Sequence, residues 1–169
     1  MTTPPRLEAP FPSAEPVVLR LAVAACRLRA AAGEGPLLVS GTYDEPSGAI
    51  PPTVAVDGGK VTVSQRYELA RTFDLLSGGT PAFDLALGGA RPFALELDSG
   101  ASDVTLDLGG LPLTRLVIRQ AAGRLCLDFS RPCPAGLGQL RVEAGAASIE
   151  LRNLCNAGFA ELVVAGGAA

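Results

Sequence analysis

Residues 95–152 read LELDSGASDVTLDLGGLPLTRLVIRQAAGRLCLDFSRPCPAGLGQLRVEAGAASIELR, and this stretch contains one apolar pattern three times. Each unit begins at a leucine and has further apolar residues 2, 9 and 11 positions later, with Gly or Ala at position 5. The units are Leu95, Leu97, Gly100, Val104 and Leu106; Leu116, Ile118, Ala121, Leu125 and Leu127; and Leu140, Val142, Gly145, Ile149 and Leu151.

The spacing has a direct structural meaning. Residues two apart in a strand point to the same face, so each unit predicts two short strands with two inward side chains each. The small residue between them permits a sharp corner or a positive φ. The units begin 21 and 24 residues apart, and stacking them about 4.8 Å apart would line up their apolar side chains in one column. We therefore predict an all-β protein, a β-solenoid with rungs of about 21–24 residues.

The same pattern extends on both sides of residues 95–152. A partial unit begins at Leu162, and an early unit begins at Leu19. The first contains Leu162, Val164 and Gly167, and the second contains Leu19, Leu21, Ala24, Leu28 and Ala30. A β-sandwich of the jelly-roll type is the alternative fold: it explains the strands equally well but not the repeated spacing.

Other segments predict strands and turns. Short apolar runs at Val17–Val23, Pro36–Val39, Thr53–Val56 and Lys60–Ser64 are typical of strands, and Asp57-Gly58-Gly59 predicts a hairpin turn. A single helical turn fits only residues 66–80. The Pro-rich residues 1–16 are predicted to be a flexible lead-in, which leaves residues 17–169 as the β-solenoid domain.

The outward positions predict ladders of charge along the stack. Position 3 of the units is occupied in turn by Asp98, Arg119 and Glu143, an alternation that favours stacking. Position 12 is occupied by Asp107, Asp128 and Arg152. Two adjacent carboxylates would repel each other unless Arg152 or a cation relieves them.

Composition excludes several classes of function. The net charge is -3 and no basic run is present, which argues against a nucleic-acid partner. The absence of histidine removes Ser-His-Asp and Cys-His catalysis. The longest apolar stretch, residues 16–32, carries three arginines, so no membrane span is predicted. We expect the protein to be cytoplasmic, or attached to a membrane through segments outside this chain.

The four cysteines match no zinc-binding spacing. We expect mostly buried, free thiols that act as small apolar side chains. If a disulfide forms, Cys126 and Cys133 are the best pair because only a Pro-rich turn separates them. The other two cysteines are Cys26 and Cys155.

The stretches Gly100–Ser130 and Val142–Ala168, together with Pro36–Asp44, resemble bacterial toast-rack domains. That family is related to the cell-wall-active antibiotic response proteins and to proposed adhesins of β-solenoid form. The resemblance covers roughly residues 17–168 and implies a fold without established chemistry. Cys155 stands where the family has a small residue. The chain also stops at AGGAA, where the family continues with further rungs, so we expect an open strand edge there.

Several residues are candidates for a binding or catalytic site, and none is assigned a catalytic, cofactor-binding or metal-binding role. The carboxylates could hold calcium or act as an acid/base pair, but solvated outward positions explain them better. Turn chemistry explains the Gly-rich pieces GEGP, DGGK, SGGT and LGGA. We expect the tyrosines to pack at a rung edge and the arginines to lie on solvated faces. These residues are Asp98, Asp103, Asp107 and Asp128; Tyr43 and Tyr67; and Arg115, Arg119, Arg124, Arg131, Arg141 and Arg152.

These observations predict a non-catalytic scaffold or protein-interaction domain of a bacterial protein. By the resemblance, its setting would be envelope-stress signalling or adhesion. Its partner would be another protein or a second copy, bound end to end through the C-terminal rung near Leu162 and Val164. The alternative is a carbohydrate- or calcium-binding solenoid, including a polysaccharide-active enzyme that uses Asp107 and Asp128.

Overall fold

The computed structural model describes residues 6–44, 52–65, 81–134 and 136–166. This part of the chain is all-β, with one short 3-10 helix at Leu154–Ala157. The strands are β1 (Arg6–Pro10), β2 (Val18–Val23), β3 (Arg27–Ala32), β4 (Leu37–Asp44), β5 (Thr53–Asp57), β6 (Lys60–Ser64), β7 (Ala82–Leu87), β8 (Phe93–Asp107), β9 (Leu113–Asp128), β10 (Gln139–Arg152) and β11 (Glu161–Gly166).

All eleven strands belong to one sheet, which forms two rows. Row A contains, in order, β5, β6, β2, the first halves of β8, β9 and β10, and β11. Row B contains β1, β4, β7, β3 and the second halves of β8, β9 and β10. The long strands β8, β9 and β10 pass from one row to the other at a corner. Buried side chains of both rows enter one core cluster, so the rows enclose the core between them.

The repeat units lie over one another in the predicted register. Leu116 pairs with Leu95 on one side and with Leu140 on the other. The early unit joins the same stack, since Leu19 pairs with Leu95, and Leu140 pairs with Leu162 beyond it. These ladders are parallel, whereas a jelly roll is built from antiparallel strands. The alternative fold is therefore wrong, and the spacing of the apolar residues reports true stacking.

The corner is visible as a shift in the alternation of buried residues along β8. Leu95 and Leu97 are buried before it, and Ser102, Val104 and Leu106 are buried after it. Because the interval from Leu97 to Ser102 is odd, the strand turns at this point and brings its opposite side inward. The turn lies at Gly100, as predicted. The small residue was also expected to permit a positive φ. That conformation occurs instead at Gly123 in the next rung, where φ is 105°.

Two buried polar side chains satisfy backbone groups at this corner. The Ser102 hydroxyl donates to the carbonyl oxygen of Ala24 at 2.6 Å. The Gln120 amide nitrogen donates to the carbonyls of Ser102 and Ala122, both at 2.8 Å, and to that of Arg124 at 3.1 Å. Carbonyls left unpaired in a buried bend would be costly, so these side chains stabilise the corner. Neither residue belongs to the repeated apolar pattern of the sequence.

The prediction of a flexible lead-in over residues 1–16 is wrong for residues 6–10. They form β1, which pairs antiparallel with β4, and Leu7 and Ala9 are buried. The alternation of apolar Leu7 and Ala9 with charged Arg6 and Glu8 is that of a half-buried strand, and the Pro-rich surroundings obscured it. Pro10 ends the strand at an irregularity of the pairing, where a missing amide hydrogen is tolerated.

The remaining local predictions have clear outcomes. Thr53–Asp57 and Lys60–Ser64 form the predicted hairpin, and Gly58 at its turn has a φ of 58°, which glycine adopts without strain. The helical turn considered for residues 66–80 lies outside the described residues. Within the described part of the chain, no helix is long and apolar enough to cross a bilayer.

Candidate interaction surface

The last described strand of row A, β11, has exposed apolar side chains. Leu162 and Val164 continue the inward column of Leu140 and Val142, both of which are 0% exposed. Leu162 itself is 38% exposed and Val164 is 49% exposed. Among the described strands, β11 pairs only with β10, so its other edge presents unpaired amide and carbonyl groups. An apolar strand with a free edge is a site for strand addition.

Row B is one strand shorter than row A at this end. The second half of β10, residues 146–152, pairs with β9, and no described strand lies on its other side. Ile149 and Leu151 are only partly buried there, whereas Leu125 and Leu127 in the preceding rung are 0% exposed. Among the described strands, row A therefore has β11 beyond the first half of β10, and row B has no strand beyond the second half of β10. We call this feature the open half-rung.

At the other end of row B the apolar side chains are covered. Leu7 and Ala9 in β1 are 4% and 1% exposed, and Arg6 and Glu8 form an outward ion pair at 3.4 Å. At the same end of row A the hairpin exposes Val54 and Val56. Residues 45–51 and 66–80, which adjoin that hairpin in sequence, lie outside the described residues, and no candidate site is placed there. The open half-rung is thus the better-defined surface.

The predicted charge ladder is present on the outside of row A. Arg119 lies 3.6 Å from Asp98 and 3.2 Å from Glu143, measured between nitrogen and carboxylate oxygen. Arg20 extends the ladder with a contact of 3.0 Å to Asp98. Exposed pairs of this kind each contribute at most about 1 kcal/mol. The ladder therefore favours the correct register, and its carboxylates are already occupied by arginines.

The carboxylates proposed for an alternative site have protein partners of their own. Asp107 and Asp128 are neighbours in register, as expected. Asp107 accepts hydrogen bonds from the Ser130 hydroxyl at 2.8 Å and from the Gly109 amide at 3.2 Å. Asp128 accepts one from the Asn153 side chain at 2.8 Å. Arg152 lies beside Asp128 in the strand register and its charge interacts with that carboxylate, whereas its ion pair, at 2.6 Å, is with Glu150 of its own strand.

The four carboxylates do not form one acidic site. Asp98 lies in row A, whereas Asp103, Asp107 and Asp128 lie in row B. Asp103 stands between Arg27 and Arg124 in the strand register. Among the described residues, no group of three or more His, Cys, Asp or Glu side chains could hold a metal ion. The arrangement places these carboxylates in hydrogen bonds and in register with arginines.

The Asp107 contacts predict a pH-dependent stability. Burial tends to raise the pKa of Asp107, but hydrogen bonds from Ser130 and Gly109 and the charge of Arg131 outweigh it, so the pKa lies below the ordinary value. A lowered pKa stabilises the fold above the unfolded-state pKa, and this contribution is lost as the pH falls through the folded-state pKa. We expect Asp107→Asn to lower the free energy of unfolding by about 1 kcal/mol at pH 7.

Urea unfolding at several pH values checks this expectation. The difference between wild type and Asp107→Asn should shrink as the pH falls through the acid range. Asp57→Asn, on the exposed hairpin turn, is the matched control and should have little effect on the free energy of unfolding at pH 7 or at acid pH. A difference for Asp107→Asn that stays constant from pH 7 to acid would contradict the assignment.

All four cysteines are free thiols, as expected, and Cys126 and Cys133 form no disulfide. Their burial differs from the prediction: Cys26 is buried, Cys126 and Cys133 are half-buried, and Cys155 is exposed. Burial raises the pKa of the Cys26 thiol to about 11, although its contact with Ser102 opposes the shift. Cys26 is therefore an inert core residue.

The remaining candidates have structural surroundings. Tyr43 packs against Phe83 with ring centroids 6.2 Å apart, and Tyr67 lies outside the described residues. Arg115 pairs with Glu96 and Arg141 with Glu143, each at 2.6 Å. GEGP, DGGK and LGGA lie at turns or strand ends, and SGGT lies outside the described residues.

Comparison with known proteins agrees with this architecture. The profile of the N-terminal domain of toast_rack matches residues 7–152. The solved structure of a proposed cell adhesion protein from Clostridium sporogenes superposes with a TM-score of 0.72 at 16% identity, covering 98% of this chain and 96% of that chain. At that identity the likeness concerns the fold. No curated protein matches the chain. Since the profile spans most of the chain and the parallel stack of rungs accounts for it, this protein belongs to the family of toast-rack N-terminal domains.

Proposed function

We propose that this domain is a β-solenoid scaffold without catalytic function, which binds another polypeptide strand at its open half-rung. The observation that carries the proposal is the contrast between Leu162 and Val164, which are exposed, and the fully buried residues that continue the same column. A bound strand would pair with a free edge and cover these side chains. The main-chain hydrogen bonds would supply affinity, and the apolar side chains would select the register.

The family and the structural neighbour support the setting. The neighbour is described as a proposed cell adhesion protein, and the resemblance of the sequence to bacterial toast-rack domains implies a setting in envelope-stress signalling. Both kinds of process depend on contacts between proteins rather than on turnover of a substrate. We infer that the domain works as an interaction module in bacterial adhesion or envelope-stress signalling.

The calcium- or carbohydrate-dependent alternative is not supported by any specific contact. The residues that suggest this alternative, Asp107 and Asp128, accept hydrogen bonds from Ser130 and Asn153. A solvated acid/base pair would need carboxylates that face a substrate groove. The pair instead ties one rung to the next.

A labelled strand peptide tests the proposal. The probe is a fluorescein-labelled peptide of alternating valine and threonine, titrated at low protein concentration and followed by fluorescence anisotropy. We expect saturable binding to the wild type and a loss of about tenfold or more in Leu162→Lys, because a charge would enter the apolar contact. The matched control is Val56→Lys, which places the same charge on the exposed hairpin at the other end of row A. Equal binding to both variants, or none to the wild type, would contradict the proposed site.

A further inference from the structure

The outer face of row A carries two networks of ion pairs, and each network begins and ends with a basic residue. Every carboxylate in them lies between two basic side chains, at nitrogen–oxygen distances of 2.6–3.8 Å. Within the two networks, five basic side chains thus hold three carboxylates. This leaves two surplus positive charges on a protein whose net charge is -3. The members are, in order, Arg20, Asp98, Arg119, Glu143 and Arg141 in the larger network, and Lys60, Glu96 and Arg115 in the smaller one.

The basic groups are the parts of these networks that meet the solvent. The three carboxylates are 17–32% exposed, whereas the five basic side chains are 41–52% exposed. A guanidinium group has five N–H donors in a planar fork, so an arginine that holds one carboxylate of the protein can donate to a second one from outside. A partner that approaches this face therefore meets N–H donors first.

Val117 shows that these charged side chains lie along the sheet. It points outward, because it stands between the inward Leu116 and Ile118. It is nevertheless only 4% exposed, and its neighbours in the register are Glu96 and Arg141. The aliphatic stems of the surrounding charged side chains account for this burial. Side chains that already hold one another lose little freedom when a partner binds, so the face is organised for binding.

From these observations we propose that the outer face of row A binds an extended, acidic segment of a partner polypeptide. Alternate side chains of an extended chain lie on one side of it, and residues four apart are separated by about 14 Å. Three steps from strand to strand across row A also span about 14 Å. Three such steps separate Arg20 from Arg141 and Lys60 from Arg115 in the register. Acidic residues at alternate positions of the segment therefore reach both basic ends of a network.

Two further carboxylates limit the area that the segment can cover. Asp57 and Glu161 lie on the same face, beside Lys60 and Gln139 in the register and towards opposite ends of row A. They would repel an acidic segment, so its contacts fall between β6 and β10. Leu162 and Val164 belong to the inward column of row A, so the surface is separate from the one in the proposed function.

Fluorescence anisotropy with a fluorescein-labelled peptide of alternating glutamate and threonine tests this binding. We expect saturable binding at low salt that weakens as salt is added, because the contacts are between exposed charges. The double variant Arg115→Gln, Arg141→Gln removes both surplus charges and should bind the peptide about tenfold more weakly. Exposed ion pairs contribute little to stability, so the variant should remain folded, which circular dichroism melts check.

The matched control is the double variant Arg27→Gln, Arg124→Gln on the outer face of row B. Both arginines are exposed and stand on either side of Asp103 in the register. On that face the described carboxylates outnumber the arginines. The control changes the net charge of the protein by the same amount and should bind the peptide as the wild type does.

Equal losses in the two double variants would mean that the peptide responds only to net charge, which overturns the site. Absence of binding to the wild type overturns it as well. If heparin, a sulfated polysaccharide, binds with the expected dependence on Arg115 and Arg141 and the acidic peptide does not bind, the polypeptide occupant is wrong. The valine–threonine peptide should bind the Arg115→Gln, Arg141→Gln variant as it binds the wild type, so the failure of one surface is distinguishable from the failure of the other.

Discussion

Leu116→Ala is expected to lower the free energy of unfolding by about 3 kcal/mol. Leu116 is 0% exposed and lies in the middle rung, between Leu95 and Leu140. Removal of its side chain leaves a cavity that touches three rungs. The hydrogen-bonded rungs on both sides cannot move together without breaking their ladders, so the cavity cannot collapse.

Urea unfolding followed by circular dichroism measures this loss, and Arg115→Ala is its matched control. Arg115 is the preceding residue of the same strand, but its side chain is 47% exposed and forms an ion pair with Glu96. We expect its truncation to cost at most about 1 kcal/mol. Similar losses for the two variants would mean that the apolar column does not carry the stability of the stack.

Gly123→Ala is expected to destabilise the domain by a comparable amount, about 3 kcal/mol, for a reason that lies in the backbone. Gly123 has a φ of 105°, a conformation that residues with a side chain rarely adopt. A methyl group there would also overlap the carbonyl oxygen of Ser102 and lie 2.9 Å from its carbonyl carbon. Both atoms belong to the neighbouring rung, so the added carbon would push two rungs apart.

Gly100→Ala provides the control for this change. The Cβ atom added at Gly100 would meet its nearest neighbour, the carbonyl carbon of Ala24, at 3.4 Å, which is ordinary contact. The equivalent position of the next rung is already an alanine, Ala121. Thermal melts should show a large decrease in midpoint for Gly123→Ala and a small change for Gly100→Ala. Equal tolerance of both substitutions would refute the close approach of the rungs at Gly123.

The repeat could be predicted from sequence because the direction of a side chain in a strand is a local property. Leu95, Leu116 and Leu140 occupy equivalent positions, and their pairing follows as soon as the rungs stack. The early unit at Leu19 illustrates the same rule at long range. It joins the unit at Leu95 although 76 residues separate the two anchors. Its spacing predicts a place in the stack without showing which rung it contacts.

Other features could not be predicted, since they depend on which chain segments become neighbours. Strand β1 is stabilised by β4, and its Pro-rich surroundings suggested a tail. Asp107 acquires its Ser130 partner from the following rung, 23 residues later. Arg152 pairs with Glu150 rather than with the expected Asp128. Each of these contacts depends on a side-chain rotamer or a loop path that the periodic pattern does not specify.

By itself, the sequence determined that the protein is all-β, which residues face inward, and that units of 21–24 residues stack in register. Alternation along a strand and the turn at a small residue are enough for these conclusions, because both act over a few neighbouring residues. Only the tertiary structure decided that Gly123 rather than Gly100 takes the positive φ, and that Leu162 and Val164 are exposed although they continue a buried column. Those properties depend on contacts between residues that are far apart in the sequence. A local pattern does not contain the free energy of those contacts.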